Sequence, residues 1–200
     1  MEFRGEQRVP LLAAEDVPEH ADLFISSQEM YGFVPNSFLI MGRDPELLDI
    51  AGRQMARIIM QKPGKTSIEL RWLVAHLSSR AAGCRYCSAH SGHLGEKLGY
   101  ISEAKLDSIW EFESSPLFDD GERAAMRVGV GGAMTPCAVT DKDMAELRRH
   151  FDDDAVVELV AVIALFGFFN RWNDIFKTEL EAPPSVFAGE KLQTLGRTEP

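Results

Sequence analysis

A chain of 200 residues with 45% hydrophobic and 26% charged side chains is long enough to bury one substantial core. Its formal net charge of −10, without a long basic block, argues against nucleic acid and against anionic membrane surfaces as partners. Three cysteines do not make a disulfide-stapled scaffold, and the opening residues lack the basic-then-apolar order of a secretion signal, so a reducing, cytoplasmic setting is expected.

Apolar residues recur at helical spacing along most of the chain, and alternating runs bounded by Asn-Gly or Asp-Gly turns are missing. The pattern predicts an all-α fold. The spacing places helices over 18–31, 45–61, 67–82, 85–98, 103–112, 121–134, 141–151 and 153–180, about eight in one domain spanning 1–200. Residues 1–17 read as an N-terminal arm and 182–200 as a C-terminal tail, since neither carries a strong apolar period. Thr66 and Glu69 have the spacing of a capping box, Ser102 and Thr140 stand where N-caps belong, and Gly99 follows a helix as a stop. The apolar stretch 155–169 is broken by Glu158 and falls short of the roughly 20 residues that span a bilayer, so it reads as a core or interface helix. Glu158 is expected to be paired with another helix or subunit.

The segment richest in chemistry is Gly83, Cys84, Arg85, Tyr86, Cys87. One helix ends at the glycine and Cys84 opens the next. There the free N–H groups and the positive end of the helix dipole favour thiolate. Residues three apart share a side of the helix, so Cys84 and Cys87 can close a disulfide. A thiolate that attacks a peroxide becomes a sulfenic acid, which a neighbouring thiol resolves to a disulfide. Cys137, in a loop far along the chain, is set aside as a bystander.

Three histidines stand nearby. His90 falls near the cysteine face, Ser91 is aligned with both sulfurs, and His93 points further round. On the preceding helix Trp72, His76 and Ser79 share one face. If that face looks at the dithiol, His76 is a candidate proton shuttle. A zinc site drawing on Cys84, Cys87, His90 and His93 or His76 is the sharpest rival, but ligands crowded into one helix suit a tetrahedral metal badly. Haem attachment is excluded, because Ser88 rather than histidine follows Cys87.

The Cys84–Cys87 motif after a helix of this kind, together with the stretch from Ala164 to Asp174 and its Asn170–Arg171 pair, resembles the carboxymuconolactone decarboxylase and AhpD-like alkylhydroperoxidase superfamily. The resemblance covers most of residues 36–180. It implies an AhpD-like helical bundle assembled as a homo-oligomer (trimer, hexamer or dimer). It also implies a hydroperoxide substrate, an attacking Cys87, a resolving Cys84, and a lipoyl or thioredoxin-like dithiol as reductant, with no metal or organic cofactor. Two positions depart from the family pattern. Trp72 stands where the family has an active-site glutamate, and Ser91 stands where it has a histidine. His90 and His76 are the expected replacements in the proton relay, with Arg85 and Arg71 as electrostatic support for the thiolate.

Two other classes fit the same resemblance. One is a cofactor-free decarboxylase or lyase acting on a lactone acid, which has no use for two thiols. The other is a non-catalytic thiol-disulfide sensor or scaffold.

Overall fold

The computed structural model describes residues 7–192, which contain helices and turns and no strand. Ten α-helices follow in order among these residues: α1 Ala21–Tyr31, α2 Asn36–Met41, α3 Pro45–Met55, α4 Ile68–Ala82, α5 Arg85–Lys97, α6 Glu103–Asp107, α7 Asp120–Ala133, α8 Asp141–His150, α9 Asp153–Phe176 and α10 Ala182–Lys191. One contiguous core runs through them from Val17 to Leu192.

α4 is the axis of that core. Leu70, Trp72, Leu73, Val74, Ala75 and Leu77 surround it with apolar surface, so it has no solvent face to keep and is enclosed by α5, α7 and α9. Ser67 caps it by accepting the N–H of Leu70, which corrects the capping box expected one residue earlier. Thr66 instead donates both its N–H and its hydroxyl to Glu158, at 2.7 Å each, and Glu69 pairs with Lys105 at 2.9 Å. Glu158 is therefore satisfied by the loop before α4, and these donors outweigh the burial that would otherwise raise its pKa. Ser102 and Thr140 cap α6 and α8 as expected, and Gly99 takes a positive φ after α5.

The stretch 45–61 divides into α3 and one π turn, Ala56–Met60, and 103–112 into α6 and a 3-10 turn, Ile109–Glu111. α9 stops at Phe176, short of the expected 180, and its 24 residues are long and apolar enough by length and composition to cross a membrane. Half of its most apolar window is buried inside the fold, and Glu158, Asn170 and Asn173 on it point inward, which is how a core helix is built.

The largest difference from expectation is the C-terminal segment. Residues 182–192 are no loose tail but α10, packed against α5 through Phe187 and Ala188. Residues 193–200 of the expected tail, and 1–6 of the expected arm, lie outside the described residues. The rest of the arm is tied down: Arg8 N–H donates to the carbonyl of Phe176, and Val17 is buried.

Candidate active site

The site begins with a turn. Gly83 ends α4 at φ +78°, and a Cβ there would touch nothing, so glycine is required for its backbone conformation rather than for space. The turn delivers Cys84 to the N-cap of α5, where its Sγ accepts the N–H of Cys87 at 3.4 Å. Cys87 thus lies in the first helical turn, facing the positive end of the dipole. Both sulfurs are free thiols, Cys84 with no exposed surface and Cys87 with 4%.

The two cysteines have different surroundings. Cys87 opens onto a pocket with aromatic walls that include Phe38, Trp72, Tyr86, Phe166 and Phe169. Asn173 on α9 donates an N–H to Cys87 Sγ at 3.4 Å and is itself fixed by the carbonyl of Phe169 at 2.9 Å. Cys84 lies deeper. Its hydrogen bond with Cys87, then its burial and the nearby Asp174, push its thiol well above the usual range. Cys84 therefore stays protonated at neutral pH, which suits a resolving thiol better than an attacking one.

His90 also lines the Cys87 pocket. Its Nε2 lies 2.6 Å from Glu181 Oε2, and its ring stacks on Tyr86 with centroids 4.1 Å apart. Tyr86 donates its hydroxyl hydrogen to Glu181 Oε1 at 2.9 Å and accepts the N–H of Ser37 at 3.2 Å, and the Asn36 N–H also donates to Glu181. Burial would raise the Glu181 carboxyl, but the His90 and Asn36 donors outweigh it and hold the group below its ordinary value. The segment leading into α10 thus supplies a carboxylate beside the pocket, and Trp72 forms part of the pocket wall. Sequence reasoning missed Glu181, Asn173 and Asp174.

The other expected participants are placed as follows. His76 Nδ1 lies 3.1 Å from Ser91 Oγ, and Ser91 donates to the carbonyl of Cys87 at 2.6 Å. Burial, with Arg80 nearby, lowers the His76 pKa to about 3, so His76 is neutral at working pH and does not titrate near neutrality as expected. The hydrogen bonds of His76 and His90 go to Ser91 and Glu181 rather than to a sulfur. Arg71 spends its guanidinium on the carbonyls of Ile58 and Gln61, which removes it from the thiolate, and Arg85 is exposed. His93 sits between Phe33 and Phe187. No group of three or more His, Cys, Asp or Glu side chains suited to a metal occurs among the described residues.

A second cleft is lined by residues of α7 and α9, among them Asn170, Arg171 and Asp174. Asp174, on its wall, lies close enough to Cys84 to disfavour its thiolate.

No protein-family model matches the chain. The Escherichia coli (strain K12) protein YnjA is 33% identical over 105 residues, and the chain spans 57% of that relative's length, the match covering 52% of the chain. The debrominase Bmp8, in a form with one cysteine replaced by alanine and in complex with 2,3,4-tribromopyrrole, is 30% identical with a TM-score of 0.83, covering 94% of this chain and 98% of that one. Its apo form is 32% identical with a TM-score of 0.82, over 90% and 95% of the two chains. An AhpD-core, peroxidase-related protein from Ralstonia eutropha JMP134 shares the fold at 21% identity, with a TM-score of 0.77 over 90% and 94%.

Proposed function

The chain belongs to the AhpD-like superfamily, and from that premise we propose that it is a thiol-dependent reductase of small apolar hydroperoxides. The observation that carries this reading is the asymmetry of the pair: Cys87 faces an aromatic pocket with Asn173 donating to its sulfur, beside a protonated, fully buried Cys84.

In this reading the Cys87 thiolate attacks the terminal oxygen of R–O–OH. The O–O bond breaks, Cys87 becomes a sulfenic acid, and the leaving alkoxide takes a proton. His90, paired with Glu181 in the same pocket, is the proton donor. The Cys84 thiol then attacks the sulfenic sulfur, and a disulfide and water form. His76, held neutral, acts as a positioning residue: through Ser91 it steadies the Cys87 carbonyl. A reductant must reopen the disulfide, and a reduced pair of this kind belongs to the cytoplasm. The exposed Val157, Val160, Phe168 and Ile175 along α9 support the expected assembly into a homo-oligomer.

A second reading, reductive removal of halogen from a haloaromatic, is favoured by the aromatic pocket wall and by the likeness to Bmp8 over nearly the whole of both chains. The same two thiols would supply the electrons, the ring carbon would gain a proton, and halide would leave. Turnover with cumene hydroperoxide and with a brominated pyrrole, each with dithiothreitol as reductant, separates the two readings. Consumption of the hydroperoxide alone, lost in Cys87→Ser, supports the first. Bromide release without hydroperoxide consumption replaces it with the second.

A further inference from the structure

The peroxide chemistry above gives Asn173 one task, the hydrogen bond from its amide nitrogen to the Cys87 sulfur, and leaves its amide oxygen unused. Asn173 is 3% exposed, lines the Cys87 pocket, and has no hydrogen-bond partner for Oδ1 among the described residues. The orientation of the amide is fixed. The carbonyl of Phe169, 2.9 Å from Nδ2, can only accept, so the nitrogen serves it and Cys87 Sγ while the oxygen is left over. A buried acceptor without a partner is costly, and a ligand that brings a donor offsets the cost.

Two other residues of the same lining share this condition. Ser37 Oγ and Trp72 Nε1 are buried without a partner among the described residues, in a wall that is otherwise largely aromatic and aliphatic. The three together offer an acceptor, a donor, and a hydroxyl that is both. A hydroperoxyl group matches that set, because its O–H donates and its two oxygens accept.

We propose that Asn173 is a catalytic residue of the peroxide reaction: its Oδ1 accepts the O–H of the terminal oxygen while its Nδ2 holds the sulfur that attacks that oxygen. The proposal rests on the hydroperoxide-reductase reading and narrows its substrates to peroxides with a free O–H, excluding dialkyl peroxides. Nitrogen and oxygen of an amide share one carbon, so groups bound to them are held side by side. One side chain thereby brings together the two atoms that are about to bond.

The course of the hydrogen accounts for a neutral acceptor. As the Cys87 thiolate attacks, the S–O bond forms and the O–O bond breaks, its electron pair going to the leaving alkoxide. The terminal oxygen keeps its hydrogen throughout and becomes the S–O–H of the sulfenic acid, so Oδ1 accepts the same O–H before and after the step. A carboxylate in this place would set a negative charge against the thiolate, which the amide avoids. When Cys84 attacks the sulfenic sulfur, the S–O bond breaks, the hydroxyl takes the proton of the Cys84 thiol, and water leaves Asn173.

The test compares two rates at Cys87 of the reduced protein, followed by peptide mapping. One is with cumene hydroperoxide, the other with methyl methanethiosulfonate, a thiol reagent that has no O–H or N–H to donate. Asn173→Ala removes both functions of the amide, and it is expected to slow the peroxide rate about tenfold more than the thiosulfonate rate, the share of one hydrogen bond. Asn173→Asp keeps an oxygen in place and is expected to slow both rates by the same factor. Asn173→Leu, which fills the space of the amide, repeats the comparison should Asn173→Ala lose its helical signal in circular dichroism. Equal slowing of both rates by the apolar variants, or a selective loss of the peroxide rate in Asn173→Asp as large as theirs, would overturn the proposal and leave the reductase reading standing. An unmodified protein that does not consume cumene hydroperoxide would overturn both.

Discussion

His90 Nε2 and Glu181 Oε2 meet at 2.6 Å although 91 residues separate them, and this contact ties the segment entering α10 to the wall of the Cys87 pocket. Both side chains are largely buried, so the pair is shielded from the solvent that weakens surface ion pairs. Glu181→Gln leaves the acid, His90, in place but removes its charged partner, so it is expected to lower the rate of peroxide consumption by about tenfold, less than the roughly hundredfold or more that losing the acid itself costs. Far-ultraviolet circular dichroism should show the helical content retained.

The same carboxylate predicts an acid-side effect. The Glu181 pKa is depressed in the folded chain, so its contribution to stability is complete above the unfolded carboxylate value of 4.5. It is lost as pH falls through the lower folded value. Urea melts across this range should show a shallower acid decline in Glu181→Gln than in the unmodified protein.

His76 predicts a second pH dependence at a higher pH. Its folded pKa of about 3 lies below the unfolded 6.5, so between these values the unfolded chain binds the proton that the folded chain refuses. Stability is therefore full above pH 6.5 and declines as pH falls. By this linkage the loss between pH 6.5 and 5 is roughly 2 kcal/mol. His76→Gln, compared by urea melts at pH 7 and pH 5, should remove most of that difference.

Gly92 faces α10, and a Cβ on it would lie 2.4 Å from the Phe187 ring and 2.9 Å from His76 Cε1. Gly92→Ala must push α10 away from α5, at a cost of about 1–3 kcal/mol. Because Glu181 immediately precedes α10, the variant should also lower peroxide turnover. A lowered thermal midpoint with full turnover would show that the Glu181–His90 contact survives the displacement.

Much of this arrangement was legible in the sequence because it is local. The Gly83 turn, the cap position of Cys84 and the three-residue spacing to Cys87 are all contained in five consecutive residues. The parts that escaped notice are formed across the chain: Asn173 reaches Cys87 over 86 residues, and Glu181 reaches His90 over 91. α10 was hidden because its first turn contains Pro183 and Pro184, which reads as a helix breaker in sequence but is compatible with a helix start. α2, with six residues, is too short to show a period. The neutral state of His76 was illegible because it follows from enclosure by α5 and α10, which neighbours such as Ala75 and Leu77 do not report.

Asn173→Ala removes the side-chain donor to Cys87 Sγ. Losing that contact should slow alkylation of Cys87 by iodoacetamide by about tenfold, because the reacting sulfur loses a donor. Peptide mapping checks this, with exposed Cys137 as the internal reference that should not change.

The most direct test of the central claim is the intact mass of the reduced protein after one equivalent of cumene hydroperoxide, for the unmodified chain and for each cysteine variant. The unmodified chain should lose the mass of two hydrogens and yield a peptide linking Cys84 to Cys87. Cys84→Ser should stop at the addition of one oxygen on Cys87, and Cys87→Ser should not react. Unchanged mass in the unmodified chain, or oxidation of Cys87→Ser at the unmodified rate, would contradict the assignment of Cys87 as the attacking thiol.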